Sequence, residues 1–586
     1  MTGENSLRIL YVDLEAEKIQ LEMREDLLEF IGGCGVGAKL LEENMKPDLP
    51  PLDPAQPIVF AIGPLSYIFP VMTKVAAVFI SPLTGEYAES YAAGRLAMAM
   101  FLSGFSAIVI TGKATKPMYL SISSHNVSFK DARTLWGSNK GIGRVIRAEQ
   151  RMSGGKRSIM RIGTGGENLV SYACVTVDTY RHFGRLGLGA VFGSKFLKAI
   201  SIVGDLSVPV KNFNSYFKVY RELYKRCTES DLMKKYHDIG TPINVVPLNE
   251  VGALPTKNMR QNRFEHADKV SGEVFANEYL IRKLSCVGCP VGCIHIAQLI
   301  QEFADHGYER EALAIGYDFE LIFALGIFLG LKDPKDVLKL IEEVEKVCLD
   351  SMSTGVVLGW ATESLEEGHI TIKDTLVPLN FGEVDGYLKA VKYIAAGQNE
   401  FYKHLGKGSR HVSKVYGGKN FAMQVAGNEM AGYHTGYGAL AGAAVGSRHS
   451  HLCNGGYAVD QSLRDTNIDT DEFAEALLKE EMERCMLNSL VMCLFARKIY
   501  DRDIILEALA SVGINMTDDE LTSAAKRIYA TKLRVKKALG FDLKEVRLPK
   551  RFFETPSIHG TLDENTAYEI ISKYNEKLGE LEQITT

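Results

Sequence analysis

Cys286, Cys289 and Cys293 stand in one short run, Ser-Cys-Val-Gly-Cys-Pro-Val-Gly-Cys-Ile-His. Thiols spaced C-x2-C-x3-C, on a loop kept tight by Gly288, Pro290 and Gly292, can all face one point in space. That is metal-ligand chemistry, and two metal groups suit it. A cubane 4Fe–4S cluster takes four thiolates, so three in one loop demand a fourth from elsewhere. Zinc would instead close with His295, two residues beyond Cys293, as a Cys3His site. The tight spacing with its inserted proline favours the cluster. Most of the other cysteines read as small buried hydrophobes, with Cys174 in a strand-like run and Cys34 in a glycine-rich turn. On chemistry alone two residues remain in contest as fourth ligand. Cys453 follows the segment Ser447-Arg-His-Ser-His-Leu, and Cys493 lies near the end of Asn488-Ser-Leu-Val-Met-Cys-Leu-Phe.

The elements that must position these ligands change along the chain. In residues 1–208, short β-branched runs alternate with Gly, Pro, Asn and Asp turns, the pattern of strands. Strands are expected at Leu7–Asp13, Ile58–Ala61, Val75–Ile80, Ala107–Thr111, Met118–Ser123, Ser158–Ile162 and Ala199–Val203. A turn is expected at Ser81–Gly85 and a glycine-rich loop at Gly184–Gly189. From residue 209 apolar residues recur at helical spacing. Helices are expected at Tyr216–Arg226, Asp336–Val347, Tyr387–Asn399, Asp471–Ala496 and Asp519–Ala538, with a weaker signal at Asn399–Tyr416. No internal repeat is visible. The expected fold class is α+β: an N-terminal β-rich domain over 1–208, then two mainly α-helical domains over 209–424 and 425–586. About three domains suit a chain of 586 residues.

Composition excludes several roles. A formal net charge of −5 offers no basic stripe for nucleic acid. No apolar run reaches the ~18–20 residues of a membrane span. The first residues show neither a basic nor an apolar leader segment, so the ten cysteines are expected as reduced thiols in a cytoplasmic protein.

Further motifs occur in a fixed order. They are Gly63-Pro-Leu, Ser81-Pro-Leu-Thr-Gly, Ala107-Ile-Val-Ile-Thr-Gly-Lys-Ala, Gly165-Gly-Glu-Asn-Leu-Val and the run from Gly189 to Ile200. After them come the cysteine run, Ala324-Leu-Gly, Asp350-Ser-Met-Ser-Thr-Gly and Leu548-Pro-Lys-Arg-Phe. In this order and spacing they resemble the tungsten-containing aldehyde:ferredoxin oxidoreductase family over nearly the whole length.

The resemblance implies a tungsten bis-pyranopterin cofactor at the domain interface, one 4Fe–4S cluster, and magnesium as an allowed further ion. It implies Cys493 as fourth cluster ligand beside Cys286, Cys289 and Cys293, and it makes Cys453 a structural thiol. The family's paired pterin motifs, D-x-x-G-L-D and D-x-x-G-L-C, correspond here to Glu345-Lys-Val-Cys-Leu-Asp350 and Asn488-Ser-Leu-Val-Met-Cys493. Both leading Asp residues are changed, and both glycines become Cys348 and Val491. From these motifs Glu345, Leu349, Asp350, Ser351, Asn488 and Met492 are expected at the cofactor. The N-terminal turns add Ser90, Tyr91, Ala92, Gly94 and Arg95, and then Arg181, His182, Gly184, Arg185 and Gly187. Backbone N–H groups in such turns cradle anions. Lys74 takes the place of the family's arginine between cluster and pterin and keeps its charge.

The resemblance also implies Glu320 and His451 as the proton-handling pair at the metal, with His449 two residues away as a rival. The family's Tyr-Asp-Pro-Arg run is Tyr433-His-Thr-Gly436 here, which alters the substrate pocket and adds His434 as a candidate. A helical E-x-x-H that holds a bridging iron in some members is replaced by Lys339–Glu342. The activity implied is oxidation of a small-molecule aldehyde to a carboxylic acid, with electrons passed to ferredoxin or an iron–sulfur partner subunit. A homodimer is allowed. Two alternatives stand beside it. One is low-potential reduction of an acid or an aromatic acyl-CoA thioester on the same cofactor, as in benzoyl-CoA reductase catalytic subunits. The other is a non-catalytic iron–sulfur or zinc scaffold.

Overall fold

The computed structural model describes residues 6–150, 156–208, 210, 212–302, 309–463 and 469–585. Its N-terminal part is built from two six-stranded sheets. The first contains β1 (Leu7–Asp13), β2 (Lys18–Arg24), β3 (Ile58–Ala61), β4 (Val75–Ile80), β5 (Tyr87–Ala92) and β6 (Ala107–Thr111), in the order β2-β1-β6-β3-β4-β5. The second contains β7 (Met118–Ser123), β8 (Val127–Asp131), β9 (Arg157–Arg161), β10 (Val175–Val177), β11 (Arg181–Phe183) and β12 (Leu197–Val203), in the order β8-β7-β12-β9-β10-β11. In each sheet the first and sixth strands pair in parallel and every other pair is antiparallel. Central strands β3, β4 and β12 are buried along their whole length, and β3 and β4 read as unbroken apolar runs.

The second sheet thus repeats the topology of the first, which corrects the expectation of no internal repeat. The two halves diverge in sequence because a strand needs a pattern, not an identity. One matching run survives: Gly94-Arg95-Leu96 and Gly184-Arg185-Leu186 each follow the fifth strand of their half. Each leads into a helix buried on every side, Leu96–Ser103 and Leu188–Ser194.

The expected helices appear at Phe213–Glu229, Pro334–Val347, Val384–Ala396 and Asp518–Ala538, and Asn399–Tyr416 resolves into Glu400–Leu405 and Ser409–Tyr416. The expected Asp471–Ala496 helix stops at Ser489, and Val491 turns the chain through φ +55° so that Cys493 emerges in extended backbone. Within the helical half lies a three-stranded sheet of β13 (Leu280–Leu284), β14 (Ile294–Glu302) and β15 (Arg310–Tyr317). Sequence periodicity missed it because β14 alternates cleanly only in its outer half. The cysteine run is the β13–β14 connection.

A smaller cluster gathers around Tyr119, Leu135 and Ile146, and most buried apolar side chains, from Ile9 to Leu578, form one core. Across it, Glu89 of β5 is 2.7 Å from Lys532, and Glu86 is 2.9 Å from both His449 and Lys536. These buried pairs fasten the start of the first Gly-Arg-Leu loop to the C-terminal helices. Among the described residues, no helix is long and apolar enough to cross a membrane.

Candidate functional site

Three segments far apart in sequence meet at the cysteines, and Val71 is their knot. Its N–H donates to Gly288 O at 3.1 Å, and its carbonyl accepts from Cys493 N–H at 3.1 Å. The Val287 N–H reaches Gly94 O at 2.9 Å, which ties the cysteine loop to the first Gly-Arg-Leu loop. Gly288 and Gly292 have φ of 82° and 69°, a left-handed backbone that only glycine adopts without cost. Burial raises the thiols of Cys289 and Cys293, the latter to about 11, and the proximity of Cys493 raises both further. Cys289 and Cys293 therefore resist ionising without a cation beside them, which fits a multi-iron cluster. Cys289 Sγ also accepts the Val291 N–H at 3.5 Å. Zinc fits poorly. The His295 ring is buried and bonded at 2.9 Å to His237 O, so it is not free to close a Cys3His site. Among the described residues no three His, Cys, Asp or Glu side chains converge on one single-ion position. Cys453 packs instead near Arg448 and Glu481.

Beside the thiols lies a cavity of ≈ 490 Å³, walled by the two Gly-Arg-Leu regions, β15, the turn at Glu345–Met352, and His451. Lys74 lines it, and its backbone N–H donates to Val491 O at 3.3 Å. It therefore stands between the thiols and the cavity. Of the residues expected at the cofactor, Tyr91, Ala92, Arg181, His182, Gly184, Arg185, Glu345, Leu349, Asp350 and Ser351 also line it, as do Glu320 and His451. The others are placed elsewhere. Ser90 is paired within the sheet, and Arg95 is held 2.9 Å from Asp178. Gly187 has φ +87°, and a Cβ there would meet Ser171 O. Asn488 and Met492 are buried beside the Cys493 turn, and His434 is buried with Nε2 2.8 Å from Thr555 O.

The lining is mixed in charge: Lys74, Lys140, Arg161, Arg181, Arg185 and Lys346 face it together with Asp318, Glu320, Glu342, Glu345 and Asp350, and Lys140 and Lys346 are paired with Glu342. Arg185 donates to Asp350 Oδ2 at 3.2 Å and to Glu429 O at 2.8 Å, but its buried Nη1 has no partner, and neither has the buried Nε of Arg181. Such orphaned donors are costly in a closed protein, and an anionic ligand would satisfy them. A side chain built at Gly184 would meet nothing within 4 Å, so that loop faces open space. Asp350 caps its own helix through Met352 N–H at 3.0 Å and accepts from Ser353 at 2.7 Å, so its main role here is to shape the turn. Glu345 is 2.9 Å from His182. Cys348 and Val491, at the two former glycine positions, keep left-handed backbone with φ of 57° and 55°. The motif geometry survives at a cost of about 1–2 kcal/mol each.

Glu320 begins the helix Phe319–Leu325, whose N-cap is Asp318 through Leu321 N–H at 3.2 Å. Burial, and then the charge of Asp318, push the Glu320 carboxyl up to about 8. The 28% of its side chain that remains exposed looks into the cavity, not bulk solvent. Burial pushes His451 down to about 3, so its imidazole is neutral. Its Nε2 lies 3.7 Å from Glu320 Oε1, a contact between two neutral groups, and its buried Nδ1 is unpartnered. Sequence reasoning missed Tyr433 and Tyr457 as part of this cluster, although the altered Tyr433 segment was a signal. The Tyr433 hydroxyl donates toward Glu320 Oε1 at 3.5 Å, and its ring lies 5.2 Å from His451 and 4.8 Å from Tyr457. His449 is removed from contention by its bonds to Glu86, Lys536 and Ala443 O.

Residues 9–204 match the model of the aldehyde ferredoxin oxidoreductase N-terminal domain, and residues 218–580 match that of domains 2 and 3. The chain belongs to the aldehyde ferredoxin oxidoreductase family. As a family member it is an oxidoreductase. It is 29% identical over 576 residues to the tungsten-containing aldehyde ferredoxin oxidoreductase of Pyrococcus furiosus, covering 94% of this chain and 92% of that protein. A WOR-like subunit of an aliphatic sulfonate oxidoreductase from the same organism is 29% identical over 406 residues, covering 66% of this chain and 64% of that protein. The active-site complex BamBC of benzoyl coenzyme A reductase, solved with 1,5-dienoyl-CoA, superposes with a TM-score of 0.82 at 18% identity. It covers 99% of this chain and 97% of its own, a likeness of fold.

Proposed function

We propose that this oxidoreductase binds a tungsten bis-pyranopterin and one 4Fe–4S cluster, oxidises an aldehyde to a carboxylic acid, and passes the two electrons to ferredoxin or an iron–sulfur partner subunit. The observation that carries the reading is the pairing of a cavity that holds orphaned arginine donors with a buried Glu320–His451 couple at its wall. When bound, the tungsten cofactor supplies the two-electron redox chemistry and the cluster carries electrons away singly. This chain's residues do the rest. Arg181, Arg185 and Lys74 would hold the cofactor's negative charge, with magnesium as a further counter-ion. Cys286, Cys289, Cys293 and Cys493 hold the cluster. Neutral His451 presents a ring N–H to a carbonyl oxygen, and Glu320 in its carboxylate form, whose share grows as pH nears 8, accepts the proton released when water adds to the aldehyde. Tyr433 donates its hydroxyl toward Glu320 and favours the carboxylate.

The test is metal analysis of the purified protein with a viologen-linked aldehyde assay. About one tungsten and four iron per chain with aldehyde-dependent dye reduction is the expected result. Zinc alone, or inertness toward aldehydes in tungsten-loaded protein, overturns it. A second reading, reduction of an acid or aromatic acyl-CoA thioester, is supported by the protonated state of Glu320, which suits proton donation as well as acceptance. Dithionite-driven turnover of the thioester without aldehyde oxidation would select it.

A further inference from the structure

Two thiols outside the cluster set lie together at the cavity wall. Ala173 and Leu349 form an antiparallel bridge, so Cys174 and Cys348 stand opposite each other, and Cys174 N–H donates to Cys348 O at 2.9 Å. Residues directly opposite in an antiparallel pair have Cα atoms about 4.5–5.5 Å apart. A disulfide spans Cα separations of ~4.4–6.8 Å. The two thiols are near enough for each to shift the other's titration, Cys174 upward and Cys348 downward. Thr176 Oγ1 lies 3.1 Å from Cys348 Sγ, and Cys174 Sγ lies 3.7 Å from Leu349 O. Cys348 ends the helix Pro334–Val347 in left-handed backbone, between the cavity-lining Glu345 and Asp350. Cys174 lines the cavity itself, which gives a small oxidant a path to the pair.

We propose that Cys174 and Cys348 are an oxidation site, a dithiol that peroxide converts to a disulfide. Hydrogen peroxide takes two electrons from the pair. One S–S bond forms, the O–O bond breaks, and the two thiol protons leave with the peroxide oxygens as two waters. The new bond ties the start of β10 covalently to the Glu345–Asp350 turn and fixes one wall of the cavity. The proposal rests on the placement of the thiols and not on which reaction the site performs.

The experiment treats the purified full-length protein with hydrogen peroxide, blocks free thiols with iodoacetamide after denaturation, and maps peptides by mass spectrometry without reductant. Met23, 54% exposed, reports that oxidant has acted. The expected product is a peptide pair joined through Cys174 and Cys348, cleaved by dithiothreitol and absent from Cys174→Ser and Cys348→Gly variants. The oxidised wild type should also melt at a higher temperature than the reduced protein, a difference that dithiothreitol abolishes and both variants lack. Recovery of both residues fully alkylated once Met23 is sulfoxidised overturns the proposal. So does a link from either residue to a different cysteine.

Discussion

Replacing Glu320 with Gln separates a working carboxyl from a structural one. Burial and the neighbouring Asp318 raise its pKa from 4.5 to about 8. Between those values the folded protein holds a proton that the unfolded chain has released, so stability from this group is fully present below pH 4.5 and falls as pH rises to about 8. At about 1.4 kcal/mol per unit, the loss across that window is at most ~5 kcal/mol, less whatever cavity water returns to the carboxylate. Glu320→Gln cannot ionise, so its melting temperature relative to wild type should climb steadily from pH 5 to pH 8. Catalysis supplies the second readout. A proton acceptor works as carboxylate, so kcat/KM for aldehyde oxidation should rise about tenfold per pH unit and level near 8. The Gln variant should lose that limb and fall about 10²–10⁴-fold in kcat. Viologen-linked rates and thermal melts over the same pH range measure both. A wild-type rate that is flat from pH 6 to 9, or a variant that keeps the limb, refutes the assignment.

Other outcomes follow from the same geometry. Cys493→Ala should lose the 4Fe–4S signal and most iron, whereas Cys453→Ala should keep both; iron analysis and electron paramagnetic resonance decide. Tyr433→Phe removes a hydrogen bond that favours the Glu320 carboxylate, so the pH limb should move upward while maximal kcat changes less than about tenfold. Glu89→Gln leaves Lys532 and Arg448 buried without their anion, and should cost about 3–5 kcal/mol, read as a large drop in melting temperature with the fold otherwise intact. Arg185→Met removes the links to Asp350 and Glu429, and should lower tungsten content more than iron content.

Much of this molecule was legible along the chain. Val75–Ile80 and Ile58–Ala61 are strands at the expected bounds because burial on both faces writes itself as an unbroken apolar run. The Pro334–Val347 helix carries an Asp333 cap and a clear apolar stripe. The C-x2-C-x3-C loop could be picked out as a candidate ligand set because ligand spacing is local. The β13–β15 sheet was missed because its pattern is irregular, and the end of the Thr470–Ser489 helix because Val491 takes a backbone conformation that its residue type argues against.

The sequence by itself determined the spacing of the candidate thiol ligands, the alternation of strand and turn, and the helical character of the second half, all properties of a few neighbouring residues. Only the tertiary structure decided which distant partners meet. It joined Val71 to both cysteine segments, turned His451 and not His449 toward Glu320, and left the Arg181 and Arg185 donors facing the cavity. It laid the second sheet out as a copy of the first and set Cys348 opposite Cys174. Such meetings are fixed by packing between segments far apart along the chain, and local periodicity carries no record of them.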